Sequence, residues 1–127
     1  MNRIFAFLAP LLLVFAAACS GAASGPGGTV EAFQAAIAEG DQEAVIEHIE
    51  PDAREMFRPK MGMIVSLASQ EAERRGGFDG IEIISEEIEG DTATVSYRSI
   101  FGDGSSEEDE ATLTRVDGVW YISVEME

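Results

Sequence analysis

The chain has 127 residues, enough for one domain and a short leader, and its hydrophobic fraction of 46% excludes wholesale disorder. Twenty-four Asp+Glu against eight Lys+Arg give a net charge of −16, which repels nucleic-acid phosphates and anionic headgroups and excludes partners held by them. A single cysteine excludes an internal disulfide.

Met1 to Ala18 has the order of a secretory signal: basic Arg3, an apolar run from Ile4 to Phe15, then Ala16-Ala17-Ala18. The stretch from Ile4 to Ala18 is shorter than the ~20 residues a spanning helix needs, and Pro10 interrupts it, so a permanent span is disfavoured. The cut before Cys19 resembles a bacterial lipobox, with Ala16 where Leu is usual. That resemblance implies diacylglyceryl transfer to the Cys19 thiol and acyl chains, palmitate among them, holding the mature N-terminus to a membrane. An Ala-x-Ala cut by the ordinary signal peptidase would leave the same N-terminus with a free thiol. The implied location is the bacterial cell envelope, and in a Gram-negative host Ser20 after the cysteine implies the periplasmic leaflet of the outer membrane. Small residues and glycines from Ser20 to Gly28 read as a tether. The expected organisation is a signal peptide over 1–18, a lipidated flexible tether over 19–28 and one domain over 29–127.

The helical half follows. Thr29 is expected to cap a helix running to Glu39, with Val30, Phe33 and Ile37 on one face. Gly40 ends it and Asp41 caps a second helix, about Gln42 to Ile49, that stops before Pro51. Pro59 is expected to open the longest helix, to Arg75, after an irregular segment from Asp52 to Arg58. Its stripe of Phe57, Met61, Ile64, Val65, Ala68 and Ala72 calls for a sheet to lie on, and Gly76-Gly77 terminates it. The methionines Met56, Met61 and Met63 read as core filler, and His48, without a neighbouring Cys or second His, as a satisfied core histidine.

Two hairpins close the chain. Ile81–Ile88 and Ala93–Phe101 flank Gly90-Asp91, and a register with Ile88 opposite Ala93 places Glu86 opposite Val95 and Ile84 opposite Tyr97. That puts Ile84, Ile88, Ala93, Val95, Tyr97 and Phe101 on the apolar side, and Ile81, Ile83 and Arg98 on the mixed side. Glu110–Met126 folds about Asp117-Gly118, a type I′ turn pair, so Val116 faces Val119, Arg115 faces Trp120, Leu113 faces Ile122 and Ala111 faces Val124. Thr94, Ser96, Thr112, Thr114, Tyr121 and Ser123 form a mixed surface available for a homodimer or another partner. Gly102 to Glu110 between the hairpins reads as a solvated acidic loop. Its Asp103, Glu107 and Asp109 are the candidate metal ligands, but the spacing does not match a calcium loop.

Helices followed by antiparallel strands give an α+β fold, N-terminal helices on a curved four-stranded antiparallel sheet. The run VEAFQAAIAEGDQEAVIEHI, the pair IEIISEEIEGDTATVSYRSI and the closing TLTRVDGVWYISV resemble the nuclear transport factor 2-like superfamily. Within it they are similar to small bacterial lipoproteins of unknown function. The resemblance spans Thr29 to Met126 and implies a cone, a curved sheet wrapped on a long helix with a pocket between. Its matched residues are turns and core, not a catalytic signature, and no cofactor is implied. A non-enzymatic envelope lipoprotein binding a small ligand or a protein is the leading reading. An isomerase, dehydratase or hydrolase acting on a small apolar substrate is the alternative, with Tyr97 and Glu86 as its candidate catalytic pair. A third is an acidic module for cations or basic proteins, using the Asp103 to Glu110 loop.

Overall fold

The computed structural model describes residues 25–124. The leader, Cys19 and the first part of the tether lie outside the described residues. Helix α1 (Pro26–Glu39) is followed by α2 (Gln42–Glu47), a 3-10 turn (Pro51–Ala53) and α3 (Arg54–Arg74). Strands β1 (Phe78–Glu89), β2 (Thr92–Phe101), β3 (Ser106–Val116) and β4 (Val119–Ile122) then form one antiparallel sheet in the order β1-β2-β3-β4. None of the described helices is long and apolar enough to cross a membrane.

Helix α1 begins at Pro26, so 26–28 are its first turn and not tether. Proline suits that turn because its φ is pre-set and it lacks only a donor that would have no partner there. Gly27 allows β1 to approach closely: a Cβ there would lie 2.9 Å from Glu86 Oε2. Thr29 is therefore inside the helix, its hydroxyl shared between the carbonyls of Gly25 and Trp120. The next junction has the expected chemistry. Gly40 takes the left-handed conformation at φ 76°, and the Asp41 carboxylate accepts from the Ala44 amide at 3.2 Å.

Helix α3 starts five residues before the proline expected to open it, because the 3-10 turn leads straight into Arg54. Pro59 is tolerated inside because it faces solvent, as does Glu55, whose carbonyl loses a donor to it. A larger departure concerns what the sheet wraps. Its concave face closes on α1, where Val30 is sealed with Val95, Leu113, Trp120 and Ile122. The long helix packs instead on α1 and α2 through Met61 and Val65, and Phe33 joins the two cores. Of the three methionines expected as core filler only Met61 is buried, Met56 and Met63 facing solvent on the other sides of the helix. The α1 run VEAFQAAIA has few charges and can be enclosed, whereas α3 carries charge on its outer sides.

The β3–β4 register is the expected one as far as Leu113–Ile122. Strand β4 then ends, and Val124 leaves to pack among the helices instead of facing Ala111. In β1, Ile88 pairs with Ala93 and Glu86 with Val95, but a bulge at Ile84 brings Ile83, not Ile84, opposite Tyr97. One extra residue reverses the alternation. Ile81 and Ile83 thus pack on the core, while Ile84 is 48% exposed. The acidic segment is also shorter as a loop than expected, since Ser106 to Glu110 belong to β3.

Candidate functional site

Helix α1 runs from the hairpin end of the sheet, where Gly27 meets Glu86, to the opposite end, where Ile37 and Ala38 approach Phe78, Phe101 and the last turn of α3. There the sheet has flared away from the helices and leaves a cavity of about 170 Å³. Its walls are apolar (Ile37, Ala68, Phe78, Phe101), and its polar groups are Gln34, Tyr97, Ser99, Glu71, Arg75, Glu107 and Asp109. A more open hollow of about 320 Å³ lies beside it, where β4 has ended and uncovered Glu110 to Thr112 of β3. Gln34 and Tyr97 line both. Gln34 Nε2 donates to the Tyr97 hydroxyl at 3.1 Å, so this hydrogen bond is a bar between the two spaces.

Tyr97 is 6% exposed. Burial, reinforced by the carboxylates of Asp109 and Glu107, pushes its phenol up to about 12. The group stays protonated at neutral pH, and with its oxygen accepting from Gln34 its proton can be offered to a ligand. A sign follows for stability. Folded Tyr97 holds its proton between pH 10 and about 12 while the unfolded chain loses it, so this contribution is complete below pH 10 and is lost as pH rises through the folded value. The melting temperature is expected to fall more steeply from pH 10 to 12 for the wild type than for Tyr97→Phe; parallel curves would contradict the assignment.

Arg75 guards the mouth. Its guanidinium lies 4.6 Å over the Phe101 ring, with Nη1 3.3 Å from Glu107 Oε2 and Nε 3.5 Å from Glu71 Oε2. Nη1 is sealed from solvent without a well-aligned hydrogen bond. Glu71 is also paired with Arg74 at 3.0 Å, so Arg74 and Arg75 offset Glu71 and Glu107, and Asp109 leaves the cavity with a small acidic excess that discourages anions.

The residues expected from sequence are only partly gathered here. Asp109 pairs with Tyr97 across β2–β3, and Glu107 stands beside it on the concave side. Asp103 lies in the β2–β3 turn, where bonds from the Ser105 hydroxyl and amide hold its carboxyl below the usual range. Among the described residues, no group of three or more His, Cys, Asp or Glu is arranged to hold a metal ion. Glu86 is exposed against the start of α1 and lines neither cavity, so it does not meet the Tyr97 hydroxyl. His48 is half-buried and lines neither, its carbonyl accepting from Ile122, and burial lowers its imidazole pKa while Glu47 opposes and Arg54 reinforces. Gln34, Arg75, Phe78 and Ser99 were not anticipated as site residues. A lone glutamine in the apolar α1 run was the available signal.

Residues 17–123 match the family described as a domain of unknown function, DUF4878. The chain belongs to that family. Among solved structures it is similar to a candidate NTF2-like transpeptidase from Campylobacter jejuni, with a TM-score of 0.72 and 22% identity over 80% of this chain and 100% of that one. It is also similar to a SEC-C motif-containing protein from Rhodopseudomonas palustris, with a TM-score of 0.57 and 21% identity over 80% of this chain and 77% of that one. No curated protein matches. Identities this low speak for the fold, which is nuclear transport factor 2-like. The DUF4878 chain thus has the expected α+β fold, a curved four-stranded sheet that does not close into a barrel, wrapped on α1 and not on the long helix.

Proposed function

We propose that this DUF4878 protein is a lipid-anchored module of the bacterial envelope whose cone binds a small neutral or cationic molecule without transforming it. The observation that carries the binding part is the buried Tyr97 hydroxyl, held by Gln34 and facing a cavity with aromatic walls and an acidic rim. Sites for small molecules have this composition, an apolar wall with a few converging polar groups. A ligand with an apolar body against Phe78 and Ile37 and a donor or ammonium toward Asp109 is the best match, and a carboxylate the poorest. The anchor rests on the signal-like leader and on Cys19 directly after Ala16-Ala17-Ala18.

The test is a titration with benzylamine, benzyl alcohol and benzoate, followed by amide and side-chain shifts of Gln34. Saturable shifts are expected for benzylamine, weaker ones for the alcohol and none for benzoate, with loss of the effect in Tyr97→Phe. Benzoate binding as well as benzylamine would overturn the reading. Intact mass of membrane-extracted protein, compared with Cys19→Ser, tests the anchor.

The enzymatic alternative draws on the same cavity, with Tyr97 beside Asp109 in place of Glu86. The transpeptidase description belongs to the Campylobacter protein and lends this chain no nucleophile: Ser99 is the serine in the cavity wall, and His48 lies elsewhere. The homodimer reading draws on the side of the sheet opposite the cone, where Thr94, Ser96, Thr112 and Thr114 lie beside the pairing of Arg98 with Glu82 and Glu108, while Tyr121, expected on the same surface, is half-buried under Arg54.

A further inference from the structure

We infer that the hairpin end of the sheet rests on the bilayer, so that the cone mouth points away from the membrane. This rests on the lipid anchor at Cys19 proposed above. The argument begins with covalent length. Six residue steps separate Cys19 from Gly25, the residue that caps α1, and six steps cannot exceed ~22 Å. Whatever path they take, the start of α1 is kept within that distance of the acylated thiol.

The fold then fixes which part of the domain is held there. The first turn of α1 is gripped at the hairpin end, with Gly27 against Glu86 and Ile83 of β1 and the Thr29 hydroxyl on the Trp120 carbonyl of β4. The 14 residues of α1 run from that end to the cavity, a rise of about 21 Å. The cavity mouth, at Arg75, Phe101 and Glu107, is therefore at the far end of the molecule from the anchor.

The anchored end carries exposed aliphatic side chains, as does the outer face of α3 (Met63 65%, Leu67 59%), and those at the anchored end lie where the tether holds the domain. Ile88 beside the β1–β2 turn is 53% exposed, and Val116 and Val119, flanking Asp117-Gly118, are 37% and 49% exposed. These hairpin tips offer aliphatic groups to the interface from both sides of the sheet. Around them Glu87, Glu89, Asp91 and Asp117 outweigh Arg115, whose guanidinium is bound to Asp91 and Gly90. The fitting surface is accordingly an electroneutral one, zwitterionic headgroups over acyl chains, and the cone receives its ligand from the aqueous side.

Because the sole cysteine is consumed by the acyl chain, a second cysteine becomes a unique labelling site. Ile88→Cys, Val119→Cys and, at the cavity end, Asp79→Cys are purified as full lipidated chains, labelled with an environment-sensitive fluorophore and reconstituted in phosphatidylcholine–phosphatidylethanolamine vesicles. Quenching by brominated acyl chains is expected to be several-fold greater at 88 and 119 than at 79. Vesicle flotation and intact mass are read on the same samples. Protein that floats and is acylated but quenches equally at the three positions would overturn the orientation and leave the anchor standing. Protein that carries no acyl chain and does not float would overturn the anchor, and the orientation with it.

Discussion

Trp120→Ala is expected to destabilise the domain by about 3–5 kcal/mol, whereas Tyr121→Ala, its neighbour in β4, is expected to cost a fraction of that. Trp120 is 7% exposed and packs with Val30, Leu113 and Ile122 inside the curl of the sheet, with the Arg115 guanidinium 4.9 Å over its ring. Truncation removes a large apolar surface and leaves a void that α1 cannot fill, because its first turn is fixed by Thr29 on the Trp120 carbonyl. Tyr121 points the other way, half-buried with Arg54 5.5 Å over its ring. Such a loss is a large share of the ~5–15 kcal/mol that holds a domain of this size. Urea unfolding followed by circular dichroism reads both variants without the missing indole; equal midpoint shifts would mean that the register of β4 is wrong.

Gly102→Ala is the second large effect, about 2–3 kcal/mol, and it comes from backbone crowding and not from the core. The turn after α3 and the turn between β2 and β3 are laced together: the Gly102 amide donates to Gly77 and the Asp103 amide to Arg75, each at 2.8 Å. A Cβ on Gly102 would intrude on the Gly76 carbonyl, and one on Gly76 would come within 2.8 Å of the Asp103 nitrogen. Neither turn can move alone without breaking the lacing. Gly104→Ala is the comparison, since it has a left-handed φ of 90° but open space around it, and should cost only about 1 kcal/mol. Equal losses in the two variants would remove the crowding argument. As Phe101 and Arg75 are the adjoining residues, Gly102→Ala should also weaken benzylamine binding more than its stability loss implies.

What the sequence disclosed divides by range. Asp117-Gly118, Gly90-Asp91 and Gly40 act through their own backbone and Asp41 through a carboxylate reaching three residues on, and each is where local chemistry places it. Pairing registers followed from those turns until something non-local intervened. The bulge at Ile84 has no local signal, because Ile83 and Ile84 are interchangeable in pattern and only the fit of β1 around α1 decides between them. The same applies to the choice of enclosed helix: the α3 stripe is genuine apart from Ile64, which is exposed, yet it serves α1 and α2, and a stripe does not state its partner. Tyr97 was legible as the polar group on an apolar side. Gln34 and Arg75 were not, since their roles arise where α1, α3 and β2 converge.

The two margins of the sheet are unequal. Beyond β4, residues 48–50 close the margin with bonds between His48, Glu50 and Ile122 and a bridge from Ile49. Among the described residues, strand β1 has no strand beyond it. At 12 residues it would be a long template for other chains, but its kink at Ile84 and its glutamates at 82, 86, 87 and 89 make it a poor one. Copies crowded on one surface can therefore collide along this margin without being zipped into a continuous ribbon, and replacing those glutamates with valine would remove that safeguard.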